Sequence, residues 1–393
     1  MNLLPVPDAL AAMRRALKPI GEHERVALDS ADGRVLARSV LAERDQPPFP
    51  ASAMDGYAVR AADLPGRLRC VGEAAAGRPF EGRIISGECC RIFTGAVVPE
   101  GADSVLIQEN AVADGGFVTA DEPLAPGRFV RPAALDYAAG DTLVAAGERL
   151  DPVRLSLCAA AGLPEIDAVR RPRVGVLMSG DELARPGDAL PPAGIHASNG
   201  YGVAAMARRF GADAFDLGIA ADSMESLAEA LASADEGEAD IVVTLGGASV
   251  GDHDLVAPAL RAHGVELEFM KLAMRPGKPV MFGTRGRTAY LGLPGNPVSS
   301  LVGARVLLVA LIERLLGMAE SDSHTTAVLA VDLPANGDRR HYMRARTGPD
   351  GVRPFENQDS SLLATLARAD ALLVREPNEP PRRAGKVVPV IRL

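Results

Sequence analysis

Four acidic residues in the middle of this sequence are predicted to meet at one edge of a sheet. Glu182, Asp252 and Asp254 follow apolar runs typical of buried strands, and Asp222 begins the helix after a strand. Ligands of open α/β sheets bind beyond the carboxyl ends of the strands, so these carboxylates should lie close together. Carboxylates beside phosphate-binding elements are typical Mg²⁺ ligands, which makes Glu182, Asp222 and Asp254 candidate metal ligands. The alternative is that Asp222 and Asp254 cap helices, and each can do both.

A glycine-rich loop, GGASVG, joins the apolar run DIVVTL to a predicted helix. Gly246, Gly247 and Gly251 permit positive φ and close backbone approach, so successive N–H groups around Ser249 could form an anion-binding nest. A purely structural glycine turn is the alternative. The loop is not a Walker A loop, because no Gly-Lys-Ser/Thr follows it.

Three cations, Lys271, Arg275 and Lys278, stand among glycine and proline residues. Their spacing could place them on a solvated helix face, but Pro276 and Pro279 disfavour a helix and favour a loop. In a chain with a formal net charge of -9, such a cluster predicts a pocket for a polyanion. The residue types alone therefore indicate a phosphate-containing ligand, Mg²⁺, and a transfer or hydrolysis reaction.

Size and composition bound the remaining possibilities. A chain of 393 residues exceeds the size at which one hydrophobic core usually keeps growing, so several domains are expected. Hydrophobic residues at 47% and charged residues at 24% indicate a globular protein. The acidic balance argues against a general nucleic-acid binder, which needs a basic surface to displace counterions.

The cysteines and the apolar segments indicate a cytoplasmic protein with no membrane segment. None of the four cysteines forms a C-x-x-C pair, which favours reduced thiols in a reducing compartment over a disulfide framework or a zinc site. The N-terminus lacks the pattern of a secretory signal. The most apolar segment, 301–316, carries Arg305, Glu313 and Arg314, which predicts a buried helix and not a membrane span.

Three regions of different texture predict a multidomain α/β protein. Residues 1–170 contain short apolar runs broken by glycine and proline, with one helix at 8–17, and predict a β-rich region that is elongated or made of two small modules. Residues 171–320 alternate strands and helices, which predicts a doubly wound, mostly parallel sheet covered on both faces. Residues 321–393 return to short strands and predict a small β-barrel-like domain.

Several individual elements of the middle region are also predicted. A helix begins near Ser198 and Asn199 and ends at Gly211, and the run VELEFMKLAM (265–274) predicts one strand. A capping-box-like sequence at 222–225 opens another helix. Asn296 and Pro297 open a long apolar helix with proline at its first position.

These stretches together resemble the molybdopterin molybdenumtransferase family, of the MoeA and gephyrin E-domain type. The resemblance runs from Val6 to the end of the sequence and is carried by eight colinear motifs: GRVLA (33–37), PPFPASAMDGYAV (47–59), FTGAVVPEGAD (93–103), SGDEL (179–183), GGASVGDHD (246–254), KLAMRPGKP (271–279), GLPGNPVS (292–299) and YMRAR (342–346).

The resemblance implies a homodimer with four subdomains, a molybdopterin-binding α/β domain in the middle of the chain, and a site in a cleft between subunits. Family members take adenylated molybdopterin and molybdate, release AMP with Mg²⁺, and leave the metal on the dithiolene. The catalytic residues that the resemblance implies are Asp55, Thr94, Glu182, Asp222, Asp254, Lys271 and Arg275. The further substrate-binding residues are Gly246, Gly247, Ser249, Gly251, Lys278, Pro294, Pro297, Arg344 and Ser361. Implied protein partners are other cofactor-biosynthesis proteins and apo-molybdoenzymes.

The sequence departs from the family pattern at several positions. Arg275 stands where lysine is more common, which keeps the charge but changes the geometry of oxyanion binding. Leu245 replaces a small hydroxyl residue, Ala248 replaces valine, and residues 134–136 read Ala-Leu-Asp in place of Gly-Glu-Asp. None of these changes removes a predicted acidic or basic site residue.

Three functional hypotheses remain open at this point. The first is the molybdenum-inserting transferase, and the second is a paralogue that binds the pterin as a carrier or scaffold without chemistry. Retention of the charged site residues favours the first. The third is the adenylyltransferase step, whose domain resembles the middle region alone, and the flanking N- and C-terminal regions argue against it.

Overall fold

The computed structural model describes residues 3–247, 255–319 and 324–393. Within these residues the α-helices are α1 (Val6–Ala16), α2 (Pro152–Ala160), α3 (Asn199–Arg209), α4 (Met224–Glu236), α5 (Val256–Ala262), α6 (Pro297–Gly303), α7 (Val309–Leu315) and α8 (Leu363–Ala367). A π-helical turn, Ala304–Leu308, joins α6 to α7, so the predicted apolar helix is interrupted once.

The strands in the same residues are β1 (His23–Ala27), β2 (Val40–Leu41), β3 (Ala51–Ser52), β4 (Gly56–Val59), β5 (Gly66–Ala74), β6 (Glu88–Ile92), β7 (Ser104–Ile107), β8 (Val112–Asp114), β9 (Phe117–Ala120), β10 (Val130–Arg131), β11 (Thr142–Val144), β12 (Glu165–Val169), β13 (Arg173–Ser179), β14 (Leu183–Ala184), β15 (Ile195–His196), β16 (Asp213–Ala220), β17 (Ile241–Leu245), β18 (Glu266–Phe269), β19 (Met274–Arg275), β20 (Met281–Arg285), β21 (Thr288–Leu293), β22 (His324–Val328), β23 (Arg340–Gly348), β24 (Gly351–Pro354), β25 (Ala371–Arg375) and β26 (Val387–Arg392).

The chain forms two compact units. The large unit comprises Met1–Ala37, Gly147–Asp151 and Glu165–Leu393, and the small unit comprises Arg38–Ala146 and Pro152–Pro164. In the small unit, the main sheet has the strand order β7-β4-β6-β5-β9-β8, and the pairs β10-β3 and β11-β2 stand beside it. Its apolar residues form two clusters, one around Ile92 and one around Leu68.

The central sheet of the large unit has the order β16-β13-β17-β21-β20-β18. Strands β16, β13, β17 and β21 are mutually parallel, and β20 runs antiparallel to both of its neighbours. Alternate residues of these strands belong to two different core clusters: Val243 lies in one and Val242 in the other. Helices α3 and α6 supply residues to the first cluster and α4 and α5 to the second, so both faces are covered. The predicted doubly wound, mostly parallel sheet is confirmed.

A second sheet closes the C-terminal part of the large unit. Its order is β19-β23-β25-β26-β22, with β24 paired to β23. A bridge between Leu329, just after β22, and Val352 of β24 brings the two sides of the sheet together around an apolar cluster that contains Leu373. This arrangement agrees with the predicted barrel-like domain.

The strand predicted over 265–274 is two strands in different sheets. Glu266–Phe269 pairs with β20 in the central sheet, whereas Met274–Arg275 pairs with β23 in the C-terminal sheet. An apolar run does not show which neighbour will accept its backbone hydrogen bonds, so this prediction was wrong.

Helix α1 packs in the core of the large unit against elements that are far from it in the sequence. Its Val6, Ala9 and Met13 are buried in the main core cluster at the spacing of a helix face. The Nε of Arg314 donates to the carbonyl oxygens of Arg14 and Leu17, at 3.1 and 3.0 Å, and so ties the end of α1 to α7. No helix in the described part of the chain has the length and apolar character to cross a membrane.

We expect the centre of the parallel sheet to dominate the stability of the large unit. Leu291 on β21 is fully buried, whereas Leu190 is 48% exposed. Leu291→Ala should lower the free energy of unfolding by about 2–5 kcal/mol, because it leaves a cavity in a packed core. The matched control Leu190→Ala should change it by less than about 0.5 kcal/mol. Urea unfolding measures both, and equal losses would contradict this view of the core.

Candidate active site

Three parallel strands end at the same level and define the candidate site. Met178 of β13 pairs with Leu245 of β17, which in turn pairs with Leu293 of β21. The chain leaves the sheet after Ser179, Leu245 and Leu293, so three loops begin side by side. This is the edge at which the sequence predicts a ligand site.

A cavity of about 720 Å³ lies at this edge, within the large unit. Seven of the predicted site residues line it: Glu182, Asp222, Gly246, Gly247, Pro294, Pro297 and Ser361. The predicted residues Ser249, Gly251 and Asp254, together with Ala248 and Asp252, lie outside the described residues. The size of the cavity suits a ligand of cofactor dimensions.

The two described carboxylates of the cavity, Glu182 and Asp222, make no side-chain hydrogen bond or ion pair with the rest of the described chain. The helix-capping alternative for Asp222 is wrong, because Ser223 is the N-cap of α4 and its Oγ accepts from the N–H of Ser226 at 3.2 Å. The backbone N–H of Asp222 donates to Asp181 at 3.0 Å, which fixes the loop while leaving the Asp222 carboxylate available.

Two glycines are required where the first two loops leave the sheet. Gly180 has a φ of +148°, and a Cβ there would meet Oε2 of Glu182 at 2.5 Å. Gly246 has a φ of +106°, and a Cβ there would meet the carbonyl oxygen of Ser179 at 2.5 Å. A Cβ at Gly246 would displace the backbone of Ser179, and at Gly180 the positive φ itself disfavours a side chain, so the glycines let the loops lie close together.

Polar residues that the sequence did not single out as ligand contacts also line the cavity. Asn199 begins α3, but its Nδ2 donates to the carbonyl oxygen of Gly295 at 2.6 Å instead of capping the helix. The Nδ2 of Asn296 donates to Oγ of Ser360 at 3.1 Å. The hydroxyl of Ser179 is buried and has no hydrogen-bond partner in the described chain. The sequence did not predict the Asn199–Gly295 and Asn296–Ser360 hydrogen bonds, because the residues that they join are 96 and 64 positions apart.

Lys271 and Lys278 lie in loops, as predicted, whereas Arg275 belongs to the short strand β19, and none of the three lines this cavity. Arg275 and Lys278 are exposed, Lys271 is half-buried, and Pro279, directly after Lys278, does line the cavity. The side chains of the trio make no hydrogen bond or ion pair with other described residues. Their charges are therefore available to a bound anion.

Arg344 is buried completely beside the same region. Its Nε donates to Oε1 of Gln358 at 3.1 Å and its Nη1 to the carbonyl oxygen of Asp359 at 2.7 Å, whereas Nη2 is buried without a partner in the described chain. The carboxylate of Asp359 accepts from N and Oγ of Ser361, which lowers the pKa of Asp359. Arg344 is thus connected to the cavity through Asp359 and Ser361.

The predicted residues Asp55 and Thr94 meet in the small unit. Oδ1 of Asp55 accepts from the backbone N of Thr94 at 2.8 Å and from its Oγ1 at 2.7 Å. These bonds, the backbone bond first and then the hydroxyl bond, lower the pKa of Asp55, and the nearby Arg91 adds to the effect. Asp55 is therefore held as a carboxylate in a fixed orientation.

The described residues alone supply only part of the ligand set that a divalent metal ion needs. No group of three or more His, Cys, Asp or Glu side chains that could hold a metal ion occurs among the described residues. Mg²⁺ is nevertheless commonly held by one or two carboxylates together with water and substrate phosphate. Glu182 and Asp222, two unpaired carboxylates on one cavity, match that donor set.

Models of three protein regions match successive parts of this chain. The MoeA N-terminal region (domain I and II) matches residues 4–162, the probable molybdopterin binding domain matches 175–314, and the MoeA C-terminal region (domain IV) matches 326–393. The order of the matches along the chain supports the multidomain α/β fold class.

Relatives and solved structures agree with these matches. The molybdopterin molybdenumtransferase of Haemophilus influenzae is 32% identical over 99% of this chain and 98% of its own, and that of a Nostoc species is 36% identical over 95% and 89%. The crystal structure of the molybdopterin biosynthesis moeA protein from Pyrococcus horikoshii OT3 has a TM-score of 0.88 at 25% identity, covering all of both chains.

The buried His341, which the sequence did not single out, should make the protein sensitive to acid. Burial, and after it Arg275 and Arg344, lower the pKa of His341 from 6.5 to about 4. Between these two pH values the unfolded chain binds a proton that the folded chain does not. The free energy of unfolding should therefore fall by up to about 3 kcal/mol as the pH decreases through this window.

His341→Gln should remove this loss, so its free energy of unfolding should fall less between about pH 7 and about pH 4. The control His23→Gln replaces an exposed histidine and should keep the wild-type dependence. Urea unfolding at the two pH values measures the difference. An identical acid sensitivity in wild type and His341→Gln would refute this role for His341.

Proposed function

Because this chain belongs to the molybdopterin molybdenumtransferase family and is a transferase enzyme of molybdenum cofactor biosynthesis, we propose that it inserts molybdate into adenylated molybdopterin with Mg²⁺-dependent release of AMP. The observation that carries this proposal is the pair of unpaired carboxylates, Glu182 and Asp222, on the cavity at the ends of the parallel strands. A protein that only carried the pterin would have no need of unpaired acidic groups beside bound phosphates.

The geometry supports a different role for each group of site residues in the large unit. Gly246 and Gly247 would let the pterin phosphates approach the backbone, as glycine turns at strand ends do in other phosphate sites. Lys271, Arg275 and Lys278 would neutralise phosphate or molybdate oxygens, since their charges have no partner within the described chain. The partnerless Nη2 of Arg344 provides a buried donor that an anionic oxygen would satisfy.

The proposed chemistry adds water across the phosphoanhydride bond. The water oxygen forms a bond to phosphorus, the anhydride P–O bond breaks, and AMP leaves. A carboxylate of the cavity, Glu182 or Asp222, would accept the proton of the attacking water. Mg²⁺ held by the same carboxylates, and by Asp254, would neutralise the charge that develops on the phosphate oxygens. The two dithiolene sulfurs then bind the molybdenum of the second substrate, one Mo–O bond of molybdate breaks, and that oxygen leaves as water with the two thiol protons.

We further propose that the protein acts as a homodimer, in which Asp55 and Thr94 of one chain complete the site of the other. The fixed and ionised state of Asp55 supports this role, because an oriented carboxylate needs no rearrangement when substrate binds. The proposed division of the chain into 1–170, 171–320 and 321–393 assigns dimerisation to the first region. Other cofactor-biosynthesis proteins and apo-molybdoenzymes are the proposed protein partners.

A cytoplasmic location is part of the same proposal. The four free cysteines, Cys70, Cys89, Cys90 and Cys158, support it, because structural disulfides persist mainly in oxidising compartments. Burial raises the pKa of Cys89 and of Cys90 to about 12, so neither thiol is reactive at neutral pH.

The test is AMP release from adenylated molybdopterin by the purified protein with Mg²⁺, with and without molybdate. Wild type should release AMP in a molybdate-dependent reaction. Glu182→Gln and Asp222→Asn should each lower the rate at least about 100-fold, because both carboxylates act on the reacting phosphate. Glu225→Gln, on the exposed first turn of α4, is the matched control and should keep the wild-type rate.

The remaining outcomes separate this proposal from its alternative. Tight binding of adenylated molybdopterin without AMP release would contradict the proposed enzymatic activity and support the carrier function. Wild-type rates in Glu182→Gln and Asp222→Asn would remove the two carboxylates from the mechanism. Unaltered thermal unfolding of the variants would show that any loss of rate is not a loss of fold.

A further inference from the structure

A second cavity of the large unit, of about 300 Å³, is partly open to solvent and shares no lining residue with the first. Helices α3, α6 and α8 and the residues around Arg305 form its walls, and most of the lining is apolar, with Phe210, Leu301 and Leu366 among the residues. Two cations, Arg209 and Arg305, interrupt this apolar lining. An apolar cavity that contains guanidinium groups has the character of an amphiphile site.

Arg305 is the unusual residue of this cavity, because it is a cation with 9% of its surface exposed. Its Nε donates to the carbonyl oxygen of Arg392 at 3.1 Å, and its guanidinium carbon lies 5.0 Å from the ring centroid of Phe210. It has no other hydrogen bond and no ion pair within the described part of the chain. The carboxylate of Glu313 acts on the guanidinium electrostatically but lies beyond ion-pair distance, so neither Nη group is paired within the described chain.

The backbone around Arg305 is also unusual. The residue lies in the π-helical turn Ala304–Leu308, between α6 and α7. Such turns are rare, and they occur frequently at functional sites. Burial lowers the pKa of Arg305, the negative charge of Glu313 offsets part of this effect, and the positive charge of Arg209 lowers the pKa further. A bound anion would relieve both penalties, because charge-assisted hydrogen bonds to a guanidinium replace the lost hydration.

We propose that this cavity binds a small amphiphilic carboxylate. The carboxylate would pair with the guanidinium of Arg305, with Arg209 at the rim, and the alkyl chain would lie against Phe210, Leu301 and Leu366. Arginine suits this task because its planar fork matches the two oxygens of a carboxylate. The volume is at the lower end of the range for small-molecule pockets, about 300–1,000 Å³, which favours a small ligand over a folded partner.

The position of the cavity gives its occupant access to the elements of the active site. Asn199 at the start of α3 and Pro297 at the start of α6 line the first cavity, and Ser361 precedes α8 in the chain. Gly202, Val302 and Leu366, farther along the same segments, line the second. A bound carboxylate would thus rest on the helices that carry residues of the first cavity. The site is additional to the proposed enzymatic activity and does not depend on it.

The test is isothermal titration calorimetry of the full chain with octanoate. Octanoate should bind with a Kd of about 1 mM or tighter, whereas butanoate, which has the same head group and a shorter chain, should bind at least about tenfold more weakly. Arg305→Met, which keeps much of the side-chain volume, should weaken octanoate binding at least about tenfold. Arg15→Met removes an exposed arginine of α1 and should leave it unchanged.

A second variant keeps the test decisive if Arg305→Met fails to fold. Ala369→Leu fills the cavity from α8's side without changing charge, and it should also abolish octanoate binding. Octanoate binding of equal strength in wild type and in either folded variant would overturn the proposal. So would the absence of octanoate binding to the wild type, or equal affinities for octanoate and butanoate. Because no reaction is measured, these outcomes are independent of AMP release.

Discussion

Hydrogen bonding between the parallel strands β13, β17 and β21 fixes the level at which three loops leave the central sheet. Met178, Leu245 and Leu293 stand in register, and the loops after them form the walls of the larger cavity. A shift of one residue in any of these strands would exchange its two sets of side chains between the two core clusters. The packing of both faces therefore specifies the register, and the register specifies the site.

The loops can approach one another because their first residues need no side chain. Gly180 and Gly246 have positive φ angles and stand against Glu182 and the carbonyl oxygen of Ser179. Asn199 then joins the start of α3 to Gly295, and both residues line the cavity. These contacts leave the side chains of Glu182 and Asp222 without a partner in the described chain, and the cations Lys271, Arg275 and Lys278, outside the cavity wall, are also unpaired. The proposed reaction depends on these unpaired charges. The phosphates of the substrate would pair with the cations, and a divalent ion would pair with the carboxylates.

The central sheet and part of the cavity at its edge could be predicted because both follow local rules. Apolar runs of strand length, alternating with helices, place polar residues at strand ends, and seven predicted residues do line one cavity. The start of the apolar helix at Pro297 followed from proline chemistry. Local rules failed where either of two neighbouring residues could cap a helix. At the start of α4, Ser223 and not Asp222 is the N-cap.

Other features could not be predicted because distant residues create them. Met274–Arg275 joins the C-terminal sheet through β23, a strand whose position no local pattern reveals. Nothing near Arg344 in sequence indicates that this arginine is fully buried, since Gln358 and Asp359 accept its hydrogen bonds. Ala134 adopts a φ of +58°, a backbone conformation that glycine would adopt without strain, at one of the positions where the sequence departs from the family pattern.

The most direct test of the central claim is a crystal structure of the protein with adenylated molybdopterin and Mg²⁺, prepared without molybdate to slow turnover. We expect pterin phosphates in the cavity beside Gly246, Gly247 and Asn296, with Glu182 and Asp222 facing the phosphoanhydride through the ion. Pterin density elsewhere on the chain, with this cavity holding only solvent, would contradict it.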